Sequence, residues 1–272
     1  MANYTTADIR ELREKTGAGM MDVKKALDDA DGDMEKALEI IRVKGLKGAA
    51  KREGRSASEG LVAADVRAAD GEQVGTLVEV NCETDFVAKN QKFIDLGDEA
   101  VKVAADSGAS TPEELKETGF DIVEKAAAMG EKILVRRIGR VSGEHVDVYL
   151  HRTSPDLPPQ VGVLVATDAK GAEVAHDVAL HIAAYSPLYL TRDEISAETI
   201  ESERHIAEET ARNEGKPEKV LPKIVDGRMN GFYKENVLLD QPFARDPKKS
   251  VGQIISASGG TVTGYVRFRV GS

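Results

Sequence analysis

The stretch Val74-Gly75-Thr76-Leu77-Val78 has a counterpart later in the chain, Val161-Gly162-Val163-Leu164-Val165. Each is preceded by a second strand-like segment, at 61–66 and 146–150, and each is followed by a turn and an amphipathic helix. A strand–strand–helix unit that occurs twice predicts an α+β core made of two halves, each built on an antiparallel hairpin.

The N-terminal segment 1–45 shows the apolar spacing of three short helices. Asp33 is a candidate N-cap for the third helix and Gly45 is its candidate C-cap. Three helices of about ten residues can share one small core, so we predict a separate helical domain here. Residues 46–60 combine glycine, serine and basic side chains with few large apolar ones, which indicates a basic helix end or linker.

Two further helices are predicted after Pro187. Thr191 and Glu194 have the spacing of a helix cap, and Gly215-Lys216-Pro217 separates two apolar stripes of helical period. The outer faces of both segments are strongly charged. We therefore predict an antiparallel helical hairpin over about 191–233 that projects into solvent.

The C-terminal segment returns to the core. Ser250 and Gln253 have capping-box spacing, and alternating apolar residues over 262–270 predict a final strand. The predicted fold class is α+β with an antiparallel core, whose halves we assign to 61–140 and 141–272.

Composition limits the possible functions. The 272 residues carry 37 basic and 47 acidic side chains, a net charge of −10, which argues against nonspecific nucleic-acid binding by the whole surface. No apolar run approaches the ~20 residues that span a bilayer, and the N-terminus lacks the pattern of a signal peptide. Cys82 is the single cysteine, so no internal disulfide can form. We expect a soluble, cytoplasmic protein without membrane contact.

Signatures of bond chemistry are scarce. The chain has no phosphate-binding loop of the G-x-x-x-x-G-K-[ST] type. His176 and His181 are five residues apart, so a helix would point them about 140° apart and no shared metal is expected. Cys82 is interpreted as a small buried residue at a strand end rather than a nucleophile. The carboxylates of Glu79 and Glu83 are interpreted as surface charges.

We therefore expect no catalytic residues, no metal site, no cofactor and no small-molecule substrate. A hydrolase that uses Glu83 and Asp85 is a distant alternative.

The segment 81–90 allows two interpretations. It follows a strand and precedes a helix, so Thr84 fits an N-cap and Asp85 a favourable charge in the first helical turn. In the first interpretation Phe86 packs inward, and the local pattern alone favours this. In the second, Phe86 points outward beside a carboxylate and is shaped to insert into a partner.

Several motifs resemble a known family. Thr84-Asp85-Phe86-Val87-Ala88-Lys89-Asn90 resembles the signature of the translation elongation factor Ts family, the bacterial nucleotide exchange factors for elongation factor Tu. The stretch 12–27 resembles the N-terminal motif of that family. Three shorter motifs fit in order and spacing, so the similarity extends over residues 3–271: Gly227-Arg228-Met229, Gln241-Pro242-Phe243 and Val251-Gly252-Gln253.

The resemblance implies both an architecture and a partner. It implies an N-terminal domain similar to ubiquitin-associated modules, a two-part α+β core and a protruding helical hairpin. The implied partner is elongation factor Tu, in its GDP-bound and nucleotide-free states. The implied activity is guanine-nucleotide exchange, in which the factor disturbs the Mg²⁺ and phosphate site of that partner.

The same resemblance implies site residues. Thr84, Asp85, Phe86 and Val87 would form the element that disturbs the Mg²⁺ site. Further partner contacts would come from Lys24, Arg52, Met129, Gly130 and His151.

One alternative belongs to another functional class. Residues 42–55 contain six basic side chains and the single acid Glu53, enough for phosphate contacts by an adaptor that binds RNA or the ribosome. A solvated basic helix explains the same pattern, and we expect no direct nucleic-acid contact.

Overall fold

The computed structural model describes residues 3–272, so the first two residues of the predicted N-terminal domain lie outside it. Among the described residues, no helix combines the length and apolar character needed to cross a bilayer. The chain begins with three helices: α1 (Thr6–Thr16), α2 (Met20–Asp29) and α3 (Met34–Arg52).

The first half of the core follows these helices. Its strands and helices are β1 (Glu59–Ala69), β2 (Glu72–Cys82), α4 (Asp85–Ala88), α5 (Gln91–Ser107), α6 (Pro112–Glu117), α7 (Ile122–Ala126) and β3 (Leu134–Gly143).

The second half contains the remaining elements. They are β4 (His145–His151), β5 (Val161–Thr167), α8 (Ala172–Tyr185), α9 (Ala197–Asn213), α10 (Leu221–Asn236), β6 (Pro242–Phe243), β7 (Asp246–Ser250), α11 (Val251–Ser258) and β8 (Val262–Arg269). The domain boundaries assigned from the sequence stay predictions.

The N-terminal helices have recognisable caps. Thr5 and Asp8 form a reciprocal capping box at α1. Asp33 caps α3 as predicted, because its side chain accepts hydrogen bonds from two backbone N–H groups. The predicted end of α3 at Gly45 is wrong, because the helix continues to Arg52. A Cβ at Gly45 would lie 2.4 Å from the Ala127 carbonyl oxygen, so this glycine permits close packing of α3 rather than ending it.

The core consists of two antiparallel sheets packed face to face. β1, β2 and β3 form one sheet, and β4, β5 and β8 form the other. Between them lies an apolar layer whose buried members are Val62, Leu77, Val146, Leu164, Ala166 and Phe268. The predicted α+β class with antiparallel sheets is confirmed.

Helices cover the outer faces of both sheets. Phe93 of α5 packs on the outer face of the first sheet, and Ile182 of α8 packs on the second. β2 and β5 are therefore buried on both faces, because helices lie on one side and the other sheet on the opposite side. This four-layer arrangement explains why both Val-Gly stretches lie at the centre of the molecule.

The two predicted helices after Pro187 form, but the first begins later than expected. Thr191 precedes a short 3-10 turn, and Ser196 is the residue that caps α9 by accepting from the Thr199 N–H. The assignment of Thr191 and Glu194 as its cap is therefore wrong. α9 and α10 pack together through a small apolar cluster that contains Ala207, Val225 and Met229. How far this pair projects, and its likeness to a hairpin of the family, stay predictions.

Candidate functional site

Phe86 lies on a one-turn helix immediately after β2. Its side chain is 81% exposed, so the interpretation in which it packs inward is wrong. Thr84 caps this turn as predicted, because its hydroxyl accepts from the Val87 N–H. Val87 is half-buried and Ala88 fully buried against the core of the first half. The turn therefore has an anchored inner side and presents an aromatic ring on its outer side.

Asp85 lies next to this ring and is held in its ionised form. Its Oδ2 accepts from Lys89 Nζ at 2.7 Å, one helical turn away. This hydrogen bond lowers the pKa of Asp85 below its ordinary value and raises the pKa of Lys89. The exposed face of the turn thus combines a large apolar group with a carboxylate that is negatively charged at neutral pH.

Glu131 supports the base of the turn, a contact that the sequence did not predict. Its Oε2 accepts from the backbone N–H groups of Glu83 and Thr84, both at 3.0 Å. Its Oε1 accepts from the Thr84 hydroxyl at 2.5 Å. The residue lies 47 positions from Thr84 and belongs to no recognisable motif, so no local pattern could have indicated the contact.

Met129 and Gly130 lie directly before this support. Gly130 has φ +79°, a left-handed conformation that favours glycine and turns the chain toward Glu131. Met129 packs against Gly17, since a Cβ there would lie 3.3 Å from the Met129 Cγ. The structure therefore brings Met129 and Gly130 close to the phenylalanine turn, which comprises residues 84–88, and to the corner between α1 and α2.

Lys24 and Arg52 have different environments. Lys24 is exposed on α2. Arg52 is half-buried and donates toward the carbonyl oxygens of Gly45 and Ala127, at 3.3 and 3.4 Å. The Arg52 guanidinium therefore holds the C-terminal end of α3 against the segment before Gly130.

His151 ends β4 in the second half. Its Nδ1 lies 3.0 Å from the Tyr149 hydroxyl, and its side chain is exposed. The proline-containing loop that follows returns to the first half, where the Val62 N–H donates to the Pro159 carbonyl at 2.8 Å. His151 therefore lies on the second sheet, whereas Phe86 follows the central strand of the first sheet. The loop after His151 contacts the first sheet at Val62.

The interpretation of Cys82 as a small buried residue at a strand end is confirmed. Cys82 is fully buried at the end of β2, and burial raises the pKa of its thiol. His181 is buried, and its Nε2 lies 2.8 Å from the Gln241 side-chain oxygen. His176 is exposed and pairs with Asp147 at 3.0 Å.

The prediction that Glu79 is a surface charge is wrong. Its side chain is fully buried and accepts a hydrogen bond from Arg137 Nε at 2.7 Å. Because β2 is covered on both faces, a charged residue on it must be paired inside the protein. Glu83 is also less exposed than expected and accepts from the Lys132 N–H at 2.6 Å.

The basic segment 42–55 is partly neutralised within the chain. Arg42 pairs with Glu124, Lys44 with Asp22 and Arg55 with Glu83. Three of its six basic side chains therefore have carboxylate partners. Beside it, a groove of about 990 Å³ runs between α2, α3 and residues 127–130. An RNA-binding role for this segment stays an alternative prediction.

A family model described as "Elongation factor TS" matches residues 83–272. The chain belongs to the elongation factor Ts family. The resemblance found in the motifs is thereby confirmed, and the phenylalanine turn lies within the matched region.

Individual relatives match over their full length. An elongation factor Ts from Beutenbergia cavernae is 63% identical over 281 residues, which cover 100% of both chains. One from Micrococcus luteus is 61% identical over 282 residues, and one from Kineococcus radiotolerans is 54% identical over 285 residues, again with full coverage of both chains.

Proposed function

We propose that this chain is a guanine-nucleotide exchange factor that binds elongation factor Tu in its GDP-bound form and promotes GDP release, so that GTP can bind. Family membership supports the proposal. The observation that carries it is the exposure of Phe86 on an anchored turn beside an ionised Asp85. The protein would act in the cytoplasm during translation elongation, without bond chemistry or a cofactor of its own.

Exchange follows from competition between two ligands of one protein. GDP with its Mg²⁺ favours one arrangement of elongation factor Tu, and the exchange factor would bind best to another. Linkage then requires each ligand to weaken the other by the same factor. Because 1.4 kcal/mol changes an equilibrium tenfold, a coupling of a few kcal/mol is sufficient for a large effect on nucleotide affinity.

The turn would disturb the Mg²⁺ site directly. Mg²⁺ requires near-ideal octahedral geometry, so a small displacement of its ligands weakens its binding. Phe86 would insert as an apolar wedge, and Asp85 would bring a negative charge close to the ion. Thr84 and Val87 would hold the wedge in place through the N-cap and the inner packing of the turn.

Other contacts would surround the wedge. Met129 and Gly130 lie at the corner between the three N-terminal helices and the turn, which suits contact with the same partner close to its Mg²⁺ site. Lys24 is exposed on α2 and available to a partner. Arg52 would contact the partner from the C-terminal end of α3, and His151 would contribute from the second half of the core.

Stopped-flow release of a fluorescent GDP from elongation factor Tu tests the proposal. Burying a phenylalanine contributes about 1.5–3 kcal/mol, so Phe86→Ala should reduce the stimulated release rate roughly 10- to 150-fold. Its free energy of unfolding should stay within about 0.5 kcal/mol of wild type, since the ring is exposed. Ile206→Ala, which removes an exposed apolar side chain from α9, is the matched control.

Two results would contradict the proposal at different levels. A wild-type protein that leaves the GDP release rate unchanged would refute the exchange activity. A folded Phe86→Ala variant as active as wild type would refute the wedge and leave the activity to other contacts.

A further inference from the structure

The Glu131 carboxylate receives three hydrogen bonds from the base of the phenylalanine turn. We propose that Glu131 is a positioning residue for nucleotide exchange, which holds the turn in the orientation that directs Phe86 outward. The inference rests on the proposed exchange function and assigns a role to a residue outside the family motif.

The bonds fix both the backbone and the cap of the turn. The two N–H groups that donate to Glu131 belong to the last residues before α4, so their peptide planes are held in one orientation. The Thr84 hydroxyl donates its proton to Glu131 and accepts from the Val87 N–H. Glu131 thus orients the hydroxyl that begins the helical turn.

A second set of bonds runs in the opposite direction. The Glu83 carboxylate accepts from the Lys132 N–H at 2.6 Å, so residues 83–84 and 131–132 bind each other reciprocally. The Lys132 ammonium donates to the carbonyl oxygens of Glu53 and Arg55, at 2.5 and 3.0 Å. The turn is therefore joined to the segment that follows α3.

This support matters because the ring is largely free of its own chain. With 81% of its surface exposed, Phe86 is oriented mainly by the backbone beneath it. A loose turn would have to be ordered during docking, and that entropic cost would slow the step in which nucleotide leaves. A turn held by charge-assisted hydrogen bonds is ordered before the partner arrives.

The experiment compares Glu131→Ala and Glu131→Gln with wild type. Alanine removes all three acceptor contacts, whereas glutamine keeps one oxygen that can accept from the backbone. We expect the maximal rate of stimulated GDP release to fall about tenfold for alanine and less for glutamine. The matched control is Glu144→Ala, which also removes a carboxylate bound to a backbone N–H, that of Ala169, in the second half.

A double-mutant cycle separates positioning from a general structural effect. If Glu131 acts through Phe86, then Glu131→Ala should have little further effect on GDP release in the Phe86→Ala background. Hydrogen exchange of the free protein provides a second readout, because the amides of Glu83 and Thr84 should lose protection in Glu131→Ala.

Three results would overturn the inference. The first is a folded Glu131→Ala variant that releases GDP at the wild-type rate. The second is a Glu131→Ala change that lowers the release rate by the same factor in the wild-type and Phe86→Ala backgrounds. The third is unchanged hydrogen-exchange protection of the Glu83 and Thr84 amides in Glu131→Ala. The proposed function fails separately, when the wild-type protein itself does not accelerate GDP release. A fall in the rate for Phe86→Ala but not for Glu131→Ala would leave that function standing and reject only the positioning role.

Discussion

Replacing Gly162 with alanine should destabilise the contact between the two sheets. A Cβ at this position would lie 2.6 Å from Val62 Cγ1 and 2.9 Å from Leu77 Cδ1. Carbon atoms pack at about 3.5–4.0 Å, so both neighbours would have to move by close to 1 Å. Val62 is β-branched and stiff at χ1, and it lies in the buried layer between the sheets, so the strands themselves must separate.

The expected magnitude combines two opposing terms. Overpacking a dense core costs about 1–3 kcal/mol. The loss of glycine flexibility in the unfolded chain contributes about 0.4–1 kcal/mol in the other direction. The net effect of Gly162→Ala should be a destabilisation of about 1–2 kcal/mol. Gly227→Ala is the control, because a Cβ in the middle of α10 meets no described atom within 4 Å. It should stabilise the helix by about 0.5–1 kcal/mol.

Urea unfolding followed by circular dichroism measures both variants. The combined variant Val62→Ala with Gly162→Ala should lose less stability than the sum of the single changes, because the smaller residue gives the new methyl group room. The steric reasoning would be refuted if Gly162→Ala were as stable as wild type while Gly227→Ala showed its expected gain.

Two further predictions concern buried polar groups. Arg137→Met should cost about 3 kcal/mol of stability in urea unfolding, because it leaves the Glu79 carboxylate buried without its close partner. Adding Glu79→Gln should recover part of this loss, and no recovery would contradict the pairing argument. Burial lowers the pKa of His181, so the unfolded chain binds a proton more readily and wild-type stability should fall as pH drops below about 6.5. This fall should be shallower in His181→Gln, and equal slopes in the variant and the wild-type protein would contradict it.

Local signals predicted much of the fold. The repeated Val-Gly stretches indicated two halves with antiparallel hairpins, and both became the central strands of three-stranded sheets. The caps at Asp33 and Ser250 were also predictable, because a capping side chain bonds within three residues of its own position. Hydrogen bonds over so few residues depend only on the local sequence, so the sequence alone indicates them.

The errors involved contacts that are distant in sequence. Gly45 has the local character of a helix end, but α3 continues through it. The glycine is needed because α3 packs closely against Ala127 at this position. Glu79 has the character of a surface charge, but the second sheet buries it. Neither environment could be identified before the tertiary packing was known.

Some features of the candidate site were also predictable from the local sequence, and others were not. Thr84 as a cap followed from local spacing, whereas the outward direction of Phe86 followed from the family resemblance against the local preference. Glu131 was found only in the structure, since its three bonds cross from one loop to another.

The burial of Cys82 has a practical consequence for spectroscopy. Maleimide dyes react with exposed thiolates, and this thiol is fully enclosed with a raised pKa. Since the sequence contains no other cysteine, the native chain already provides an unreactive background. A cysteine introduced at an exposed position such as Ile206 would accept a single fluorophore, so distances to a bound partner could be followed without altering the core.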